Sequence, residues 1–313
     1  MLFAGPLFTP AIGLGDAVSS FQAGPVLLAS RRGQRGHQHM TIALESSHQT
    51  AFSQDRLSGT SRSHAIDRWI YVFTAASIIA IVLTGFIPDS LAKIAGIKAG
   101  QLPPFPLVLH VHAVLMGSFL LLLLAQTVLV ATGKCAWHMQ IGIAAMILVP
   151  AILVTGLVLV PTIYHNVWNA AHNGPAPVRQ QLLPVVPILE DILLAQLRVA
   201  VLFTIFMWIA LRARRRDPGL HKRLILLAAA IPLPAALDRI HWLPTTFPNS
   251  FLTTDIYTLL AVSPLFLWDL ARNHAVHRAY VIFAAFFVPV SAVLYALWDT
   301  PIWHATARRI MGV

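Results

Sequence analysis

From Trp69 onward, apolar residues gather into seven long runs, at about 69–87, 107–131, 139–162, 190–211, 221–242, 252–271 and 279–298, divided by polar connections. Each run approaches the roughly 20 apolar residues that a helix needs to cross the hydrocarbon of a bilayer. Lipid offers no hydrogen-bond partners, so the backbone of such a segment must satisfy itself as helix. The pattern predicts an all-α, polytopic membrane helical bundle of about seven transmembrane helices over residues 65–300, with 301–313 as a short outer C-terminal tail. The fifth and sixth runs are the weakest, because Arg223 and Asp238 bracket only fourteen uncharged residues and Asp255 and Asp269 only thirteen. Their outer portions must therefore face protein or water. Pro232 and Pro234 should kink the fifth.

Residues 1–64 break the pattern. Pro6, Pro10, Gly13, Gly15 and Pro25 interrupt every apolar stretch, RRGQRGHQH follows, and the n-, h- and c-region order of a signal peptide is missing. Met40 then opens a polar, Ser-rich tract. The expectation is a disordered or mis-started N-terminal tract, with translation starting at Met40.

Composition agrees with the runs: 57% of the 313 residues are hydrophobic and 11% charged, against about 25% charged in soluble domains. The formal charge of +10 raises nucleic acid as a partner. However, Arg212, Arg214, Arg215, Arg216, Lys222 and Arg223 crowd one connection between two apolar runs, as in a cytoplasmic loop that obeys the positive-inside rule. The expected partner is the lipid bilayer, with no nucleic acid. Lys134, Arg272, Arg278, Arg62 and Arg68 fall on the same side, whereas Lys93, Lys98 and Arg179 on the other are diluted by Asp89, Glu190 and Asp255. The N-terminus is thus expected in the cytoplasm and the C-terminus outside. A lone Cys135 excludes an intramolecular disulfide and any Cys-Cys metal motif.

Charges inside the runs carry the candidate chemistry. Arg198 lies fourteen residues from Arg212 and Asp238 fifteen from Arg223, so at helical rise both sit about 21 to 23 Å from the cytoplasmic surface. Asp255, seventeen residues before Arg272, comes to about 25 Å. Charge at such depth is by default a functional-site hypothesis. Arg198 with Asp238 or Asp255 forms the expected ligand or proton site, enlarged by Arg239, Tyr257 and Asp191. The alternative is that Arg198 snorkels to Asp191 and Glu190 on its own helix face.

Above that layer His112 and His241 share a depth of about 27 to 30 Å, the minimum condition for two axial haem ligands or a shared metal, and Met116 lies one turn deeper beside His112. His138, His221 and His277 open helices at the inner surface. The loop IYHNVWNAAHNGPAPVRQQLLPVVP is a candidate lid over an outer pocket.

Residues 109–142, LHVHAVLMGSFLLLLLAQTVLVATGKCAWHMQIG, followed by GLHKRLILLAAAIPLPAALDRI, resemble the paired signatures of a family of uncharacterised bacterial multi-pass inner-membrane proteins. In these, a Leu-His-Arg-Arg-Leu-Gly type turn precedes a Leu-His-Lys-Arg-Leu-Met type helix start. The likeness covers about residues 69–300 and implies the membrane fold and the bacterial inner membrane, with no activity. Here Met139 and Gln140 replace the basic pair. A weaker likeness, carried by His112 to Met116, runs to haem-b transmembrane cytochromes of the ascorbate-reducible type. It implies haem b as the cofactor, held by His112 with His241 and by His138 with His221.

Neither a nucleophile triad, a phosphate-cradling glycine loop nor a nucleotide motif appears, which argues against an ordinary hydrolase or kinase. Three readings follow. The first is a haem- or metal-binding redox or assembly protein built around an outward-facing His/Arg/Asp pocket. The second is a transporter or receptor-like protein for a small polar or anionic ligand, and the third a purely structural membrane protein.

Overall fold

The computed structural model describes Asp55, Leu57 and residues 64–313. All regular structure among these residues is helical. In chain order the elements are α1 (Ala65–Lys98), α2 (Leu107–Ala131), α3 (Cys135–Ile141), α4 (Ala145–Asn173), α5 (Ala176–Leu182), α6 (Val185–Ala213), α7 (Pro218–Ala230), α8 (Pro234–Leu237), α9 (Leu252–Asn273), α10 (Arg278–Leu297) and α11 (Pro301–Met311). One 3₁₀ turn, Gly142–Ala144, joins α3 to α4.

Six stretches are long and apolar enough to cross a membrane: α1, α2, the α3–α4 run, α6, α7 with α8, and α10. The protein is an integral, multi-pass membrane protein. The seventh expected helix forms as α9, but Asp255, Asp269 and Arg272 leave it too polar to qualify by composition. Outward-facing side chains on the apolar helices match a lipid surface, with Leu107, Val114, Leu121 and Ile147 each at least 65% exposed.

At the centre lies α7, packed against α6, α1, α9 and α10. Its Leu224, Leu226 and Leu227 are fully buried, with Leu202 and Phe206 of α6 and Leu265 of α9 around them. The expected fifth span of 221–242 is not continuous. Prolines at 232 and 234 each lack an N–H and clash with the preceding turn, so the helix stops at Ala230, turns, and resumes only over Pro234–Leu237. Bonds from Ile231 N–H to Ala228 O and from Leu233 N–H to Ala230 O tighten the break. The carbonyl of Ala236 presses against Gly85 of α1 so closely that a Cβ there would collide with it.

At the end of the bundle that holds the C-terminus, called outer after the expected orientation, residues 301–313 form a helix instead of a loose tail. Trp303, Ala307 and Met311 recur every four residues and are buried, a single stripe on the helix face. That stripe packs with Tyr164, Leu193, Leu194 and Leu294 into a second apolar cluster. The turn into α11 runs through Asp299 at φ 53°, a left-handed conformation that Asp tolerates better than most residues. Thr300 then caps the helix by accepting the Trp303 N–H at 3.2 Å. The expected lid loop is mostly helical as well, being the end of α4 and all of α5.

Of the N-terminal tract, the expected start at Met40 lies outside the described residues. Within it, Asp55 and Leu57 are docked on the inner end of the bundle, where Leu57 is 3% exposed.

Candidate functional site

Asp255 and Asp269 sit near opposite ends of α9. Fourteen residues of rise place them about 21 Å apart and, at 100° per residue, within about 40° of the same face. Each meets one buried arginine from another helix.

At the outer level the partner is Arg198 of α6. Its Nη1 and Nη2 donate to the two Asp255 oxygens, each at 2.6 Å, and Nη1 also donates to Ser291 Oγ at 2.9 Å. Tyr295 Oη donates to Asp255 Oδ2 at 2.5 Å. The Phe251 and Phe287 rings lie 5.0 and 5.5 Å from the guanidinium carbon. With side chains only 3% and 5% exposed, this is a two-pronged, charge-assisted pair that ties α6, α9 and α10. Arg198 therefore turns to Asp255, and the snorkelling alternative toward Asp191 and Glu190 is not adopted.

The other members expected at this level lie elsewhere. Because the fifth span ends at Leu237, Asp238 and Arg239 leave the bundle where a straight helix would have kept them inside. Arg239 reaches Asp89 of α1 at 3.3 Å, donates to the Ala235 carbonyl and covers the Phe86 ring at 4.7 Å. Asp238 is half-buried, and burial raises its pKa above the usual carboxylate range against the pull of Arg239. Tyr257 donates to the Pro244 carbonyl at 2.8 Å. Near the outer surface a cavity of about 260 Å³ is lined by His172, Arg179, Gln180 and apolar neighbours. None of the expected pocket residues lines it.

Of the histidines expected to hold haem, His112 and His221 are hydrogen-bonded within the bundle. His112 Nδ1 lies 2.9 Å from Thr155 Oγ1 on α4, Met116 packs into the apolar core, and His241 is exposed in the loop after α8. His138 lies within electrostatic reach of His221. His221 Nδ1 is bound 2.8 Å from the Ala210 carbonyl. The Gln126 amide, with its nitrogen toward the ring, donates to His138 Nδ1 at 2.5 Å and accepts the Gly142 N–H at 3.1 Å. In that arrangement the ring proton lies on His138 Nε2.

At the inner level the partner is Arg223 of α7, fully buried. It binds both oxygens of Asp269, one of them at 2.9 Å, and both oxygens of Asp55 at 3.0 Å, and donates to the Gly219 carbonyl at 3.0 Å. Asn273 donates to Asp269 at 2.6 Å. Lys222 donates to the Leu57 carbonyl and lies 4.9 Å from the Tyr71 ring. Beside them Asp67 accepts from Arg272 at 3.0 and 3.1 Å and from Trp268 at 2.9 Å. Burial pushes the Asp55 carboxyl up, but the hydrogen bonds and charge of Arg223, with Lys222, outweigh it and hold its pKa at about 2. Burial and the Arg223 charge push His277 down to about 4. Sequence reasoning counted Arg223 as one more surface base. The available signal was Asp269, placed three residues before Arg272 and therefore at a matching depth.

A third polar group sits at the outer corner where α6 meets α11. Glu190, fully buried, accepts from Tyr164 Oη at 3.1 Å and from Arg308 Nε at 2.8 Å through one oxygen, while its other oxygen lies 2.8 Å from His304 Nδ1. Trp303 Nε1 donates to the Glu190 carbonyl at 2.8 Å. The Glu190 hydrogen bond raises the pKa of Arg308. Next to it Asp191, 4% exposed, accepts the Asp299 N–H at 3.0 Å, and His304 Nε2 is 3.3 Å from Asp299 Oδ1. Of this group only Asp191 was expected to act at a site, and its partners come from the segment read as a tail.

Comparison of the chain with protein-family models, with curated proteins and with solved structures finds no match.

Proposed function

We propose that this is a bacterial inner-membrane binding protein, with its N-terminus in the cytoplasm and its C-terminus outside, whose ligand chemistry lies at the outer corner of the bundle. In this reading the arginines inside the bundle are helix locks. One contrast carries it. Arg198 and Asp255 bind each other through two bonds, with Ser291 and Tyr295 beside them and Arg198 Nε left without a hydrogen-bond partner among the described residues, whereas the outer corner gathers Glu190, Asp191 and Asp299 around a single guanidinium and one imidazole. Asp191 is the buried carboxylate there without a guanidinium partner among the described residues, which suits a cation, because buried charge is otherwise paired or neutralised. A site for an anionic ligand would instead gather guanidinium groups in excess of carboxylates, and Arg198 is matched one to one by Asp255.

Two experiments test the reading. A reporter active only outside the cytoplasm, fused after Val313, should be active; activity only from a cytoplasmic reporter would overturn the orientation. The exchange Arg198→Asp with Asp255→Arg should recover most of the abundance that either single change removes. If a single Arg198 variant kept full abundance, the lock assignment would fail and a ligand role for Arg198 would gain.

A further inference from the structure

The structure assigns a divalent transition-metal site to Asp191, Asp299 and His304, with Glu190 as the positioning residue. The assignment deepens the outer-corner reading and rests on it for the compartment that supplies the metal. One ligand atom from each of the three side chains lies within 4.8 Å of the others, and side-chain shifts of about half an ångström bring them within the roughly 4.4 Å that two bonds of about 2.2 Å to a single ion can span.

Three observations point to a cation there. Asp191 is buried, and among the described residues it forms no ion pair with a lysine or arginine; its neighbours Glu190 and Asp299 are carboxylates as well. Like charges drawn together out of water are unfavourable unless something positive joins them. Second, Glu190 Oε2 and His304 Nδ1 are both buried and face each other at 2.8 Å, yet no hydrogen bond is in line between them. A small rotation of a ring that carries its proton on Nδ1 would complete that bond and leave Nε2 for a metal, the carboxylate–histidine–metal arrangement that fixes the tautomer and orientation of metal-bound histidines. Third, Nε2 points toward Asp299, whose side chain is 75% exposed, so the site opens to the outer solution and an ion can enter.

The donor set names the class of ion. Two carboxylates and one imidazole suit zinc, manganese, cobalt or ferrous iron, with remaining positions for water; a sulfur donor, which would favour copper(I), is missing, and calcium prefers all-oxygen sites. Geometrically, the ion would join α6 through Asp191 to the α10–α11 turn through Asp299 and to α11 through His304. Binding therefore clamps the C-terminal helix to the bundle.

The test uses full-length, tag-free protein in detergent, stripped with a chelator and titrated with zinc(II) and with cobalt(II). The expected result is one equivalent of bound metal by elemental analysis, a visible cobalt spectrum, and a raised thermal midpoint. Asp299→Asn, at an exposed position, and His304→Gln should each weaken binding at least tenfold while keeping the helical circular dichroism and a monodisperse elution profile. Glu190→Gln should weaken it about 10- to 100-fold. Absence of saturable binding would overturn the site, as would binding that Asp299→Asn and His304→Gln leave unchanged. The titration is blind to orientation, so a cytoplasmic C-terminus would refute the proposed function without touching this assignment.

Discussion

Replacing Arg198 by Met would leave the Asp255 carboxylate, 5% exposed, with Tyr295 as its remaining donor. Two charge-assisted bonds of 2.6 Å and one of 2.9 Å to Ser291 are lost. Breaking a buried pair from one side costs about 3–5 kcal/mol. For a protein of this size that is about 6–20 °C of thermal midpoint. Asp255→Leu should cost a similar amount, because it strands the guanidinium between Phe251 and Phe287. The double change Arg198→Met with Asp255→Leu removes both charges and fills the space with apolar atoms, an exchange that is often neutral or favourable. It should therefore fall within about 2 kcal/mol of the wild type, far above the sum of the singles. Thermal unfolding of all four proteins in one detergent, followed by circular dichroism, closes the cycle. If the double variant were as unstable as the two singles added together, the residues would act independently and the lock would be wrong.

Three further outcomes are expected. Gly85→Ala drives a methyl group into the Ala236 carbonyl, backbone against backbone, and should lower the thermal midpoint by several degrees, whereas Gly117→Ala, with open space around it, should change little. Acid should destabilise the inner end in two windows. His277 has its pKa at about 4 against an ordinary 6.5, so below pH 6.5 the unfolded chain takes up the proton first, and up to about 3 kcal/mol is lost as pH falls from 6.5 to 4. Asp55, at about 2 against 3.8, contributes stability above pH 3.8 that is lost between there and about 2. His277→Asn should flatten the first window in midpoint-against-pH curves and leave the second. Finally, the oxidised and dithionite-reduced visible spectra of protein made with haem precursor should lack a Soret band, because His112 and His221 each have a ring nitrogen engaged within the bundle; a band abolished by His112→Ala or His221→Ala would reinstate haem.

Run length and hydropathy were enough to read the helices from the sequence, because a membrane span is specified locally by its own composition. Depth arithmetic brought Arg198 and Asp255 to one level, and they pair. The same arithmetic misplaced Asp238, since it assumed a straight helix through Pro232 and Pro234. Arg223 was misread for a different reason. Its partners Asp269 and Asp55 lie 46 and 168 residues away in sequence, and nothing local separates a buried base from its exposed neighbours in a basic loop. Trp303, Ala307 and Met311 did carry a helical stripe in the C-terminal segment, and that spacing could have revealed α11 and with it His304 and Asp299.

The polarity of α9 and the burial of two arginines are one problem with one solution. An aspartate near the centre of a membrane helix costs about 2.5–3.5 kcal/mol on insertion scales, and an arginine about the same. Taken singly, α9 with two aspartates is a poor span, and α6 and α7 are each weakened by one arginine. Placed together, Arg198 meets Asp255 near one end of α9 and Arg223 meets Asp269 near the other, so the charges that oppose insertion of the separate helices become the contacts that select their arrangement. Two such pairs set about 21 Å apart along one helix face also fix the register and the rotation of α9. A shift by one residue would turn both aspartates about 100° away from their partners. Apolar packing among Leu, Phe and Ala side chains imposes no comparable restriction, because lipid tails compete for the same contacts. On this argument the buried pairs contribute less to net stability than to specifying one bundle, and that bundle holds α6 and α10 where α11 can bring Asp299 and His304 to Asp191.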